Sequence, residues 1–361
     1  MKILFLDYDY ISHDQRALET IDSLSLIGDV TVLSLESESM GRGIKNYSPS
    51  KRSYALFLLE SFKLILKSKP DVIFLHDYYC ALVLWFLKSF NIPGYVFYDS
   101  SELYYDKPID GLSGLKTFIL NVFEKRYIGL ADTIFAANIE RAQIMKDIFQ
   151  LETTPLVIDN IHRIDEPIDY ESCSNKFDSL FSESVVSILY CGGISKTRRT
   201  YELINTAERL GRGFNLIIAG AADDKNKELF EIVYNNSAIK NFCYLGFLNR
   251  SELKYLLNKS DISVSLFDFS CVNNVFCASG KVYESIFERT PVLTTTNPPL
   301  RRLCDSYKVG VSTNDFYSGI LQIMDNYSDY LEGIDTFIST IDYDNRIRTL
   351  ADLFIKVINK K

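Results

Sequence analysis

Short apolar runs recur along the chain, separated by longer stretches of helical period. KILFLDY, DVTVLSL from Asp29, DVIFLHD from Asp71, GYVFYDS from Gly94, DTIFAAN from Asp132 and PLVIDN from Pro155 are rich in Val, Ile and Phe. Most of them lack strict apolar–polar alternation, as expected of strands covered on both sheet faces. Between them, apolar spacings of three and four predict helices over 14–27, 53–68 and 115–128. Strand and helix in turn predict βαβ units on a parallel, doubly wound sheet.

A polar stretch from His162 to about Glu183 breaks the rhythm, which then restarts. VVSILYCGG from Val185, NLIIAG from Asn215, NFCYLGFL from Asn241, DISVSLF from Asp261, TPVLTTT from Thr290 and VGVSTN from Val309 form a second series of predicted strands. The expected organisation is a Rossmann-like domain over 1–165, a linker over 166–183 and a second Rossmann-like domain over 184–335. A C-terminal helix within 336–361 is expected to pack back toward the first domain, since Ile347, Leu350, Leu353, Phe354 and Val357 share one helical face. Two doubly wound domains are expected to offer ligands the carboxyl ends of their strands, where helix N-termini converge.

The 361 residues are too many for one ordinary core and suit two. A formal net charge of −8 argues against a nucleic-acid binder, which needs a surplus of Lys and Arg. Seven scattered Cys, at 80, 173, 191, 243, 271, 277 and 304, match no metal knuckle and read as reduced thiols of a cytoplasmic protein. Three His, at 13, 76 and 162, form no HxxxH pair, so no metal and no cofactor is expected. The first apolar run meets Asp7 and Asp9 too early for a signal peptide. CALVLWFLKSF from Cys80 is shorter than the roughly 20 residues of a membrane span.

No GxGxxG follows the first strand of either half, and the GK pair Gly280–Lys281 is followed by Val282, with Val275 where a P-loop needs Gly. Two other segments can hold an anion. In YCGGISKTRRTYELI, Gly192 and Gly193 follow a strand, and Lys196, Arg198 and Arg199 lie at the next helix start. Cations oppose the helix dipole there, and a bound diphosphate resolves the conflict; the plain alternative is a solvated basic loop. In NNVFCASGKVYESIFERTPVLTTT, with Asn274, the amides of Ser279 and Gly280 open a helix carrying Lys281 and Glu284. Those amides suit a phosphate and Glu284 suits a ribose diol, against the alternative that both side chains are ordinary helix surface. Gly246, with Phe247 and Leu248, ends a strand where a flat base could approach the backbone.

These three segments, in this order, resemble the retaining family 4 (group 1) glycosyltransferases of the GT-B fold. ASGKVYESIFERTPVLTTTNPPLRRLCDSYKVGV is similar to that family's sPNKxyEyma.g.PVvat pattern, and LGFLNRSELKYLLNKSDISVSLF to its lGxv…el..ll..aDi.v.l run. In the first half, DVIFLHD resembles a vvhaHD strand end and YDSSELYYD resembles yDsHElyxe. The resemblance implies metal-independent transfer from a nucleoside diphosphate sugar, UDP- or GDP-linked, to a glycan or lipid-linked acceptor in surface polysaccharide or glycoconjugate synthesis. It implies that Arg198 or Arg199, with Lys281, neutralises the leaving diphosphate, without choosing between the two Arg. Glu284 would bind the ribose, and the Phe247–Leu248 backbone the base. Arg16, His76, Asp77, Ser101 and Glu102 become candidates for the acceptor side; His76 could equally be a core or capping residue. Asp7–Tyr8–Asp9 and Asp342–Tyr343–Asp344 have DxD spacing, but the first ends a buried strand and the second lies in a late polar segment.

Two positions depart from the family. Its DxHE His is Ser101 here, and the first Glu of its ExxxxxxxE pair is Phe276. The lost His motivates an alternative, a non-catalytic subunit or chaperone of a partner glycosyltransferase. A nucleotide-sugar 2-epimerase on the same fold is disfavoured by the donor-side motifs. KRSYALFLLESFKLILKSK from Lys51 and LKTFILNVFEKRYIGL from Leu115 are apolar segments flanked by cations. They suit peripheral contact with the inner face of the plasma membrane, or else are core helices with solvated ends.

Overall fold

The computed structural model describes residues 1–37, 44–105, 114–222, 227, 230–231 and 242–360. The chain forms two compact units, residues 1–160 with 342–361, and residues 161–341.

The first unit holds a parallel sheet of β1 (Lys2–Leu6), β2 (Asp29–Leu33), β3 (Lys45–Tyr47), β4 (Val72–His76), β5 (Tyr95–Ser100), β6 (Thr133–Ala136) and β7 (Leu156–Val157), in the order β3-β2-β1-β4-β5-β6-β7. Every predicted run of this half is a strand. The addition is β3, a short polar edge strand with no apolar pattern to betray it. Phe5, Phe74, Phe97 and Phe135 are fully buried between the sheet and its helices.

The second unit repeats the plan with β8 (Val186–Cys191), β9 (Phe214–Ala219), β10 (Phe242–Gly246), β11 (Ile262–Ser265), β12 (Val292–Thr294) and β13 (Gly310–Ser312), in the order β10-β9-β8-β11-β12-β13. Both sheets reverse strand order beside their first strand, β1/β4 and β8/β11, which is where doubly wound sheets hold ligands.

The unit boundaries differ from the expected ones. Residues 166–183 are no free linker: Tyr170–Phe177 is a helix that buries Cys173 and Phe177 in the second unit's core. These two apolar residues, four apart, were hidden in a polar context. At the other end, the helix Arg346–Ile358 belongs to the first unit. Phe354 is fully buried, 5.9 Å from Phe74 and 5.4 Å from Phe97 between ring centres. Arg346 Nε donates to Glu19 Oε2 at 2.7 Å, and Tyr95 Oη donates to the Val357 carbonyl at 3.1 Å. Among the described residues no helix is long and apolar enough to cross a membrane.

Candidate functional site

In the second unit the sequence candidates gather around the carboxyl ends of β8, β10 and β11. After Cys191 the chain turns through Gly192 and Gly193, and Tyr190 Oη donates to the Gly193 carbonyl at 2.6 Å, folding the loop back on the strand. Lys196 is exposed on this loop. The two following Arg part company. Arg199 caps the helix Thr200–Leu210 in a left-handed conformation, φ 50°. Its Nε lies 3.0 Å from both Glu202 oxygens, its Nη1 donates to Asn314 Oδ1 at 2.7 Å, and its guanidinium stacks on Phe316 at 4.6 Å. Its charge is satisfied within the fold. Arg198 makes no ion pair among the described residues, and its guanidinium lies 4.0 Å above the Phe267 ring, just past β11. An anion can therefore recruit Arg198 without first breaking a salt bridge.

At the end of β10, Gly246 has φ 69°, a region that favours glycine, with open space where a Cβ would stand. Phe247 beyond it is 82% exposed and Leu248 is half-buried. The next helix, Arg250–Lys259, opens with a capping box between Asn249 and Glu252.

Ser279 caps the helix Gly280–Phe287, and its Oγ lies 3.0 Å from Ser265 Oγ on β11. Gly280 is required here by packing, because a Cβ would stand 2.3 Å from His162 Cδ2. One turn on, Glu284 is buried, with Arg250 Nη1 at 2.6 Å from Oε1 and Lys281 Nζ at 3.0 Å from Oε2. Burial alone would raise this carboxyl; the charges of Lys281 and Arg250 override it and hold Glu284 below the usual range. Lys281 itself is exposed and free to turn toward a second anion.

The sequence reading missed Arg250. A cation in the first turn of a helix opposes the dipole, the same signal that drew attention to the Arg198 segment. Asn274, a sequence candidate for ligand contact, is anchored within the fold: its Nδ2 donates to Asp268 Oδ1 at 2.6 Å, and its carbonyl accepts from Asn297 Nδ2 at 2.8 Å. It ties the 268–276 loop to Asn297, a fully buried residue that pattern reasoning also passed over.

In the first unit the acceptor-side candidates sit at the carboxyl ends of β1, β4 and β5; Arg16 and His76 are buried there, while Asp77, Ser101 and Glu102 are half-buried. Arg16 is buried; Nε and Nη2 donate to Asp99 at 2.9 and 2.6 Å, and Nη1 donates to the Ile158 carbonyl. His76 is buried beside it, Nε2 at 3.1 Å from Asp14 Oδ2 and Nδ1 at 3.2 Å from Asp99 Oδ2, the latter off the axis a hydrogen bond requires. Burial would raise Asp99, but Arg16 and His76 hold it well below the carboxylate range. Burial would raise Asp14 too, but the hydrogen bond and charge of His76 bring it down to about 2. Burial pushes Asp7 up to about 7. Nearer solvent, Asp77 Oδ1 accepts from the Glu102 amide at 3.3 Å. Ser101 offers its carbonyl to Arg141, a buried cation that the sequence reading did not single out.

No family model matches the chain, and no curated protein matches it. Solved structures do. Sucrose-phosphate synthase from Thermosynechococcus elongatus aligns over 100% of both chains with a TM-score of 0.77 at 10% identity. HepE of Anabaena, in complex with UDP-glucose, aligns over 99% of this chain and 100% of its own, TM-score 0.73 at 14% identity. WaaG, a glycosyltransferase involved in lipopolysaccharide biosynthesis, aligns over 97% and 99%, TM-score 0.71 at 13% identity. At these identities the likeness establishes the fold, two doubly wound parallel sheets of the GT-B kind.

Proposed function

We propose that this chain, which has the GT-B fold, is a glycosyltransferase that takes its sugar from a nucleoside diphosphate donor. The observation that carries the reading is Glu284, a buried carboxylate held between Lys281 and Arg250 beside the β8/β11 switch point. Glu284 accepts the ribose hydroxyls, and Lys281 and Arg198 take the diphosphate. The Gly192–Gly193 turn lets the backbone approach the donor, with Lys196 at its rim, and the Gly246–Leu248 backbone reads the base. UDP is the carrier of choice, since HepE, similar throughout its length, was solved with UDP-glucose. Cations at the phosphates do without a metal, and the leaving phosphate itself can take the acceptor proton, which suits transfer with retention. The enzyme's contribution is orientation and charge stabilisation.

The acceptor in this reading is a glycan or a lipid-linked sugar of a surface polysaccharide or glycoconjugate. Peripheral contact with the inner membrane face fits the helices Tyr54–Ser68 and Gly114–Tyr127 of the first unit. Leu59, Leu66, Phe118 and Val122 are exposed there alongside Lys63, Lys67, Lys125 and Arg126. Flotation with phosphatidylglycerol vesicles at low salt tests this; no binding refutes it.

A thermal-shift series over UDP, GDP, ADP, TDP and CMP, with and without magnesium, tests the donor site, followed by turnover of the matching nucleotide sugars. A selective, magnesium-independent shift that Glu284→Ala abolishes is the expected result. Ser101, standing where the resembling family has His, favours one rival, a non-catalytic subunit of a partner transferase. That rival requires tight partner binding without donor binding, and turnover by the isolated chain removes it.

A further inference from the structure

We propose that Asp7, Asp14 and His76 form a binding site for one divalent transition-metal ion, of the zinc or manganese kind, inside the first unit. One ligand atom from each residue lies within 4.8 Å of the others. Metal–ligand bonds of about 2.0–2.2 Å place neighbouring ligand atoms roughly 3–3.5 Å apart. His76 Nε2 and Asp14 Oδ2, 3.1 Å apart, already meet that spacing, and Asp7 lies within the 4.8 Å that bounds the cluster.

Independent of the cluster itself is the state of Asp7. It is 2% exposed, and its Oδ2 is buried with no hydrogen-bond partner. A carboxylate oxygen left so is costly and unusual, and coordination satisfies it. A ligating His stands with its other nitrogen against a carboxylate that fixes its orientation. Here Asp99 stands 3.2 Å from Nδ1, off the axis of a hydrogen bond, and is held by Arg16 through two nitrogens, so a turn of the imidazole onto the ion would be needed to complete that contact. Arg16 and Asp99 neutralise each other, and an entering ion displaces the proton that His76 shares with Asp14, which leaves two carboxylates, Asp7 and Asp14, for a divalent charge. The Asp14 side chain is 35% exposed, giving a route from solvent and room for water to complete the shell.

An imidazole with two carboxylates selects zinc or manganese over magnesium and calcium, which prefer all-oxygen shells. The DxD spacing noted in the sequence is not the chelate. Asp9 is exposed, with its Oδ1 accepting from the Tyr10 amide at 2.8 Å. Asp7 instead meets residues 7 and 69 positions further on. The ion would pin the ends of β1 and β4 to the start of the helix Gln15–Ser25. It lies in the first unit and rests on nothing in the donor site, so either reading can fail alone.

The full chain, stripped with a chelator, is equilibrated separately with zinc and with manganese, desalted and analysed for bound metal. X-ray absorption is then recorded on the zinc form. The expected result is one equivalent, a shell of nitrogen and oxygen only, and a rise in melting temperature on loading. In Asp7→Asn and Asp14→Asn the affinity falls at least about a hundredfold and the rise disappears. Should a variant fail to fold, the wild-type absorption spectrum still decides. No bound ion at millimolar metal, a shell containing cysteine sulfur, or equal retention by both variants overturns the proposal.

Discussion

Replacing Glu284 by Gln isolates the charge of the residue on which the donor-site reading turns. The side chain keeps its volume and one acceptor oxygen but loses the anion that Arg250 meets at 2.6 Å and Lys281 at 3.0 Å. Hydrogen bonds to charged groups contribute about 1.5–3 kcal/mol each. Lys281 is exposed and the Arg250 side chain is 36% exposed, so both cations regain water and the folding cost is discounted to on the order of 1–2 kcal/mol. The donor loses a charge-assisted bond from its ribose, again about 1.5–3 kcal/mol, which at 1.4 kcal/mol per decade is roughly 10–100-fold in Kd. Calorimetric titration with UDP measures this directly, with urea denaturation of both proteins separating binding from folding. If the Glu284→Gln protein binds UDP within twofold of wild type while losing stability, Glu284 is a structural lock for Arg250 and not a donor ligand.

The two neighbouring Arg should behave oppositely. Arg198→Ala is expected to lower kcat by about 10²–10³-fold, as loss of a transition-state donor does, with melting unchanged. Arg199→Ala is expected to cost on the order of 1 kcal/mol of stability and little rate; the reverse pattern would refute the division of roles. Gly280→Ala forces a methyl to within 2.3 Å of His162 Cδ2; a loss of about 1–3 kcal/mol in urea melts is expected, together with weaker UDP binding. Phe354→Ala empties a fully buried site in the first unit's core and should cost about 3–5 kcal/mol by denaturation, and no measurable loss would deny the C-terminal helix its structural part. Glu124 is buried and raised to about 7 by burial, against the Tyr98 hydroxyl donating at 2.8 Å. Its folded pKa lies above its unfolded one, so the native state holds the extra proton and stability falls as pH rises from about 4.5 to 7. Glu124→Gln should remove that slope and stabilise the protein at pH 8 by up to ~3 kcal/mol; identical pH profiles for variant and wild type would show that Glu124 does not titrate in this way.

Strand runs and the two-sheet plan are legible because parallel strands buried on both faces cannot disguise their composition. What escaped is instructive by residue. β3 reads KNY and has no apolar pattern, since it is an edge paired on one side only. Residues 170–177 are polar apart from the pair that packs, so composition pointed to a linker while spacing contained a helix. The donor-side segments were visible because Gly turns, helix starts and cations are local. The first unit's charge network was not, because Arg16, His76 and Asp99 come from elements 23 to 83 positions apart that only the sheet order unites.

How each cation is compensated separates architecture from chemistry better than its sequence neighbourhood does. Arg16, Arg141 and Arg199 looked unlike one another in the sequence, yet each ends on partners supplied by its own unit: Asp99, the Ser101 carbonyl, and Glu202 with Asn314. A cation so satisfied has little to offer a ligand, because its desolvation is already offset and a new anion must displace the old one. Lys281 is paired too, but through one oxygen of a carboxylate that Arg250 also holds, and its ammonium reaches solvent. Arg198 rests on an aromatic face, a contact of about 0.5–2 kcal/mol that an arriving phosphate displaces or joins. In a chain of net charge −8, these under-compensated cations beside the β8/β11 switch are where an anionic donor gains most from binding. That inequality of compensation, rather than any single motif, ties the fold to the transferase reading.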